Sequence, residues 1–344
     1  MIDSARRAQF EPGLGYLNTA SIGVPPRVGV DAMVGAIEEW RRGEAEAPSY
    51  DAYVERSRTA FAGIAGVAPD RVAIGSTASA FAGLVASQLP AGSEVLTADG
   101  DFTSILFPFM AQAARGVRVR SVPLERLADE VDRHTTLVAV SSVQSVDGAV
   151  ADLDRLVAAC GQVGAHTMID ATQSYGWLPL DASRFDYVVC HAYKWLSCPR
   201  GVAFMVISPE RREALIPHNA GWYAGADIWN SIYGAPLRLA SDARGLDISP
   251  AWLSWVAAAP TLELFLEIGI ERIHAHNVGL ADQLSAGLGQ EPGSSAIVRI
   301  EQPGADKALS GAGVRFANRA GAARLSFHLY NDQADVDMVL EALS

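Results

Sequence analysis

The sequence predicts an α/β protein with a mainly parallel central sheet, helices on both of its faces and a smaller C-terminal α+β domain. Three observations predict it. From Arg71 onward, short apolar and β-branched runs alternate with helical runs. At 344 residues and 49% hydrophobic content, the chain suits one large α/β body plus a small one, and it is too apolar for disorder. Past residue 208 the alternation stops and a different pattern takes over.

Two amphipathic helices come first, in RVGVDAMVGAIEEWRRGEAE and YDAYVERSRTAFAGIAG. RVAIG then reads as a strand, TASAFAGLVASQL as a helix, SEVLTAD as a strand, and SILFPFMAQAARG as a helix broken or bent at Pro108. VRVRSV and TTLVAVSSV read as strands, with LERLADEVD a short helix between them. DLDRLVAACGQVG is a helix, and AHTMID, FDYVVCHA and GVAFMVIS are strands. The stretch from His218 to Trp252 is loop-rich and dense in Gly, Trp and Tyr, a length usually kept for function. Two long helices follow, then the short strands SAIVRI, VRFAN and ARLSFHL.

Composition narrows the function classes. The net charge of −12 and pI near 5.0 disfavour nucleic acid and anionic lipid as partners. The three cysteines, Cys160, Cys190 and Cys198, form no CxxC pair, so neither a disulfide framework nor a zinc knuckle is expected. The seven histidines do not cluster as ligands, so no metal is expected. No apolar run reaches membrane-spanning length and the first residues carry no apolar leader core, so a cytoplasmic protein is expected.

In parallel sheets, ligands bind at the carboxyl ends of the strands. GSTAS, GDFTS, IDATQ and CHAYK all fall at such ends. In DYVVCHAYKWLSCPRG, Lys194 follows a core strand, between Tyr193 and Trp195. It either snorkels to water or sits desolvated, with a lowered pKa, as a nucleophile toward a carbonyl. Asp170 ends the preceding strand. It either pairs with Lys194 as a salt bridge or shares a ligand with it. Gly75, Ser76 and Thr77 stand between strand and helix, either as an anion-binding turn or as a plain N-cap. Pyridoxal phosphate needs a lysine, an acid for its ring nitrogen, a phosphate cup and a plate for its ring. Lys194, Asp170, the GSTAS turn and Phe102 supply these four kinds.

IDATQSYGWLPLDASRFDYVVCHAYKWLSCPRG, with YLNTASIGVPP and ARLSFHLYN, resembles the class V aminotransferases of fold type I. That group includes cysteine desulfurases, kynureninase-like and isopenicillin N epimerase-like enzymes, and the resemblance covers nearly the whole chain. It implies pyridoxal phosphate, an amino acid substrate and a homodimer. It also implies an N-terminal segment over 1–25 that lines the site, a large domain over 26–245 and a small domain over 246–344. By the resemblance, Lys194 is the Schiff-base lysine and Asp170 the carboxylate under the pyridine nitrogen. Gln173 serves the phenolic oxygen, Ser76, Thr77 and Ala78 the phosphate turn with His191, and Phe102 the ring. Arg324 forks the substrate carboxylate and Asn18 lines the pocket. Ser249 stands where relatives close a neighbouring subunit's phosphate site, or else caps the helix that follows. Tyr193 replaces a histidine common in desulfurases, and Trp222 and Tyr223 either wall the pocket or pack. The region before Arg324 lacks the desulfurases' loop cysteine, and Cys198 does not stand in for it. The expected reaction is of the aminotransferase type, with β-elimination or epimerisation as the alternative.

Overall fold

The computed structural model describes residues 4–344. The first three residues of the N-terminal segment lie outside that range. Seven strands form the main sheet: β1 (Val72–Gly75), β2 (Glu94–Ala98), β3 (Arg118–Val122), β4 (Thr135–Ser141), β5 (His166–Asp170), β6 (Tyr187–His191) and β7 (Ala203–Ile207). Their order is β1-β7-β6-β5-β4-β2-β3. The pairs from β3 to β6 are parallel, and β7 runs antiparallel to both β6 and β1. With β7 alone reversed, the carboxyl ends of the other six strands meet on one edge.

Period-two alternation sends strand side chains to two separate cores. Ile74, Leu96, Val138, Val140, Ile169, Val188 and Phe204 face one. Ala73, Val95, Leu137, Met168, Val189 and Met205 face the other. Both faces are therefore dry, as a helix-covered parallel sheet requires.

The small sheet is antiparallel, in the order β8 (Ile297–Ile300), β10 (Ala322–Ser326), β9 (Ala317–Arg319). The N-terminal segment pairs onto it, Tyr16 with Arg315 and Asn18 with Ser326. The helix Trp252–Ile268 packs on helices Arg27–Arg42 and Asp51–Ala65, and its Trp255, Leu262 and Phe265 join a core of the main sheet.

Two local expectations change. LERLADEVD forms only a 3-10 turn at Leu124–Arg126. Its Leu124, Leu127 and Val131 do fall at helical spacing and all pack on the main-sheet core, but the backbone between them forms turns. Arg120 of β3 also takes the Glu130 carbonyl from outside the segment. The helix expected through Pro108 spans Thr103–Met110, and a separate 3-10 turn follows at Ala113–Arg115.

Candidate active site

The carboxyl ends of β1, β2, β4, β5 and β6 surround a cavity of about 320 Å³. Thr77, Ala78, Phe102, Asp170, Gln173, His191 and Lys194 line it, so most of the residues expected from sequence come together here.

Lys194 does not snorkel. It is 4% exposed, and its Nζ lies 5.2 Å from the Phe102 ring centroid and 5.8 Å from that of Tyr193. Burial pulls its pKa from 10.5 down to about 8, against the opposing pull of the Asp170 carboxylate; Arg324 and Arg319 add to the lowering. Asp170 is buried, which raises its own pKa, while Thr172 and Lys194 favour its charged form. Its Oδ1 accepts the Thr172 N–H at 2.9 Å. Among the described residues the two form no direct ion pair, which leaves them free to address one ligand.

Phe102 is held from behind. Asp101 is buried, and its carboxylate accepts the Phe102 N–H at 2.6 Å and the Ser141 N–H at 2.7 Å. The plate over Lys194 is thus tied to the end of β4.

Thr77 caps helix Ala78–Gln88, its Oγ1 accepting the Ala80 N–H at 3.2 Å. That cap leaves the earlier amides of the turn free for an anion. Ser76 is half-buried and does not line the cavity. His191 is buried, and its Nε2 has no partner among the described residues. Burial, Arg200 and Lys194 hold its pKa down at about 4, so the ring is neutral at pH 7.

Gln173 is fully engaged. Its Nε2 donates to the Ala20 carbonyl at 3.0 Å and to Ser145 Oγ at 2.9 Å, and its Oε1 accepts the Trp195 indole N–H at 2.8 Å. A ligand oxygen reaching Gln173 has to displace Ser145 or Ala20.

Arg324 stands on β10 in the small sheet, 1% exposed, and does not itself line the cavity. It donates to the carbonyl and hydroxyl of Ser145 and, at 2.8 Å, to Ser21 Oγ. Its Nε has no partner, and burial lowers its pKa to about 10, helped by Arg319. Asn18, expected to line the pocket, is not on the cavity lining; it is half-buried two strand positions from Arg324, with its Oδ1 unpaired. The N-terminal strap then passes against the lysine loop, where the Gly23 N–H donates to the Tyr193 carbonyl at 3.0 Å.

Other expectations place differently. Ser249 is exposed and stands outside this chain's cavity, so a phosphate role for it needs a second copy. Trp222 and Tyr223 do not line the cavity; the Tyr223 hydroxyl donates to Asp51 at 2.8 Å. Sequence reasoning missed Ser141, Ser145, Thr172 and Arg200, all of which line the cavity, and Asp101 behind it. The strand-end rule, applied to SSVQS after β4, finds the two serines.

The aminotransferase class-V family profile matches residues 45–306. The chain belongs to the aminotransferase class-V family. That family uses pyridoxal phosphate. The sequence is 28% identical to the uncharacterized aminotransferase YcbU of Bacillus subtilis, over 84% of this chain and 83% of that protein. It is 26% identical to isopenicillin N epimerase of Streptomyces clavuligerus, over 98% and 96%. A solved structure of C-DES, a mutant with glycine covalently linked to its pyridoxal phosphate, superposes with a TM-score of 0.88 at 22% identity, over 98% of both chains. The fold is therefore fold type I. The class V cofactor fits the residues present: an amine, a carboxylate, an aromatic plate, an amide turn and a buried imidazole nitrogen without a partner.

Proposed function

We propose that this class V chain acts on an α-amino acid by aminotransferase-type chemistry, with Lys194 as the base that moves the α-proton. The observation that carries the reading is a buried Lys194, whose proton affinity burial lowers, with a buried Arg324 that has an unpaired Nε and bonds to Ser145 of the cavity wall. When bound, pyridoxal phosphate supplies an aldehyde and an electron sink. Lys194 Nζ would hold the aldehyde as the nucleophilic amine and, as a free base, would take up and return the substrate α-proton. Asp170 keeps a proton on the pyridine nitrogen by its negative charge. Phe102, whose ring lies 5.2 Å from Lys194 Nζ, would supply the aromatic surface for the cofactor ring. Arg324 orients the substrate carboxylate with a planar fork. Thr77, Ala78 and His191 receive the phosphate.

Elimination of a β-substituent and epimerisation are the alternatives within class V. Sulfur transfer through a persulfide is disfavoured here. Cys160, Cys190 and Cys198 are all buried, and burial raises the pKa of each thiol.

We propose a homodimer, supported by the exposed apolar stripe Val30, Val34, Ile37 and Trp40 on helix Arg27–Arg42 and by exposed Ser249. Sedimentation at micromolar concentration tests it; a monomer at all concentrations refutes it. A cytoplasmic location is proposed from three free thiols and no disulfide among the described residues, and cell fractionation checks it. The division into 1–25, 26–245 and 246–344 is likewise a proposal, read out by limited proteolysis.

The deciding experiment reduces the protein with borohydride after adding pyridoxal phosphate and maps the modified peptide, then assays amino acids for products. A cofactor-sized mass on Lys194, with keto acid formed and the amino group retained on the cofactor, supports the reading. Free ammonia with a lost β-substituent moves the chain to the lyases, and racemised amino acid moves it to the epimerases. A protein that takes up no cofactor refutes it.

A further inference from the structure

The phosphate end of the cavity poses a charge problem. Pyridoxal phosphate carries close to two negative charges there at neutral pH. His191, the buried side chain aimed at that end, is neutral at pH 7 and brings no charge. Lys194 is committed to the aldehyde. Arg324 is directed at Ser145 and Ser21, on the side of the small sheet. Thr77, Ala78 and Ser79 offer amides and hydroxyls, and the helix N-terminus adds only a partial charge.

Arg200 is the remaining cation lining this cavity. Among the described residues it forms no ion pair. Its guanidinium carbon sits 4.5 Å from the Tyr193 ring centroid, and that ring meets the edge of the His191 ring at 4.5 Å. Arg200 thus lies over Tyr193, and Tyr193 meets His191 edge-on at 68°, one chain of contacts that includes the unpaired Nε2 of His191. The backbone beneath is fixed. Pro199 precedes Arg200, Gly201 follows with φ +95°, and Ser254 Oγ donates to the Arg200 carbonyl at 3.0 Å. A stacked, pre-oriented guanidinium loses little freedom on gripping a phosphate.

We infer that Arg200 is the counter-charge of the cofactor phosphate, supplied from within the same chain and oriented by Tyr193. The inference rests on the pyridoxal phosphate reading and deepens it. It also gives Tyr193 a role: the ring that replaces the desulfurases' histidine is the surface on which the arginine lies. The phosphate is then neutralised by Arg200 and not by the exposed Ser249 of a second copy.

The test compares pyridoxal phosphate with pyridoxal, which lacks the phosphate, on apo-protein. Equilibrium binding is read by quenching of tryptophan fluorescence, for the wild type, Arg200→Gln and Arg200→Lys. Arg200→Gln weakens pyridoxal phosphate about 10- to 100-fold, the loss of one charge-assisted contact. Pyridoxal binding changes by less than about twofold, since no phosphate contact exists to lose. Arg200→Lys falls between, keeping the charge without the stack. Inorganic phosphate competes with pyridoxal phosphate in the wild type and competes less in Arg200→Gln. Arg200 is exposed, so the variant folds; its melting curve checks this. Equal affinity of Arg200→Gln and wild type for pyridoxal phosphate overturns the inference. So does an equal loss for both ligands, which marks a structural defect. Tyr193→Ala, with Arg200 intact, lowers phosphate discrimination in part; full discrimination overturns the orienting role of Tyr193. A wild type that binds neither ligand overturns the cofactor reading itself.

Discussion

Labelling the apo-protein with trace acetic anhydride from about pH 6 to about pH 11 reads the proton affinity of Lys194 directly, because only the free amine reacts. The chain has just two lysines, and the other, Lys307, is exposed and serves as the internal reference. Burial lowers the Lys194 pKa from 10.5 to about 8. At pH 7 the free-amine fraction is then roughly one in ten, against roughly three in ten thousand for an unshifted lysine, a gain of about 300-fold. Half-maximal labelling of the Lys194 peptide is expected near pH 8. In Asp170→Asn the midpoint moves lower, because the carboxylate that favours the ammonium is gone. The sign for stability follows. Between about pH 8 and 10.5 the unfolded chain holds the proton that folded Lys194 has released, so apo-protein stability rises with pH across that window. The total is about 3 kcal/mol, and below pH 8 this contribution is flat. A Lys194 midpoint at or above pH 10 refutes the desolvated-amine argument, and with it the case for a nucleophile poised at neutral pH.

Three further outcomes are expected. At Gly23 an added Cβ would sit 1.9 Å from the Lys194 carbonyl oxygen, so Gly23→Ala should cost about 1–3 kcal/mol in urea unfolding and displace the strap from the lysine loop; a neutral result refutes the close approach. Asp247 and Arg58 form a buried ion pair at 2.7 Å, and Asp247 also accepts the Ile74 N–H at 2.8 Å; Asp247→Asn should cost about 3 kcal/mol in the same unfolding, the low end for a broken buried pair because Glu55 still faces the guanidinium at 3.1 Å. Arg324→Lys should weaken amino acid binding about tenfold or more, read by spectral titration, with cofactor retention unchanged, because a point charge cannot fork a carboxylate; unchanged affinity removes Arg324 from the substrate site.

The strand–helix alternation, the two dry faces of the sheet and the placement of Lys194, Asp170, Phe102 and Thr77 at strand ends were legible in the sequence. Each depends on a few neighbouring residues: period-two burial in β6, a cap before Ala78, a polar turn after an apolar run. Ser141 and Ser145 were legible by the same rule. Arg324 was reached only through the class V resemblance, since it lies in a different sheet. The strand order, with β1 antiparallel to β7 at the edge, rested on long-range pairing that no local signal encodes. Asp101 holding Phe102 to β4, Arg200 lying on Tyr193, and the lowered proton affinity of Lys194 were decided by the tertiary structure alone. Burial and electrostatic fields are sums over neighbours brought from distant parts of the chain, and those neighbours exist only once the chain has folded.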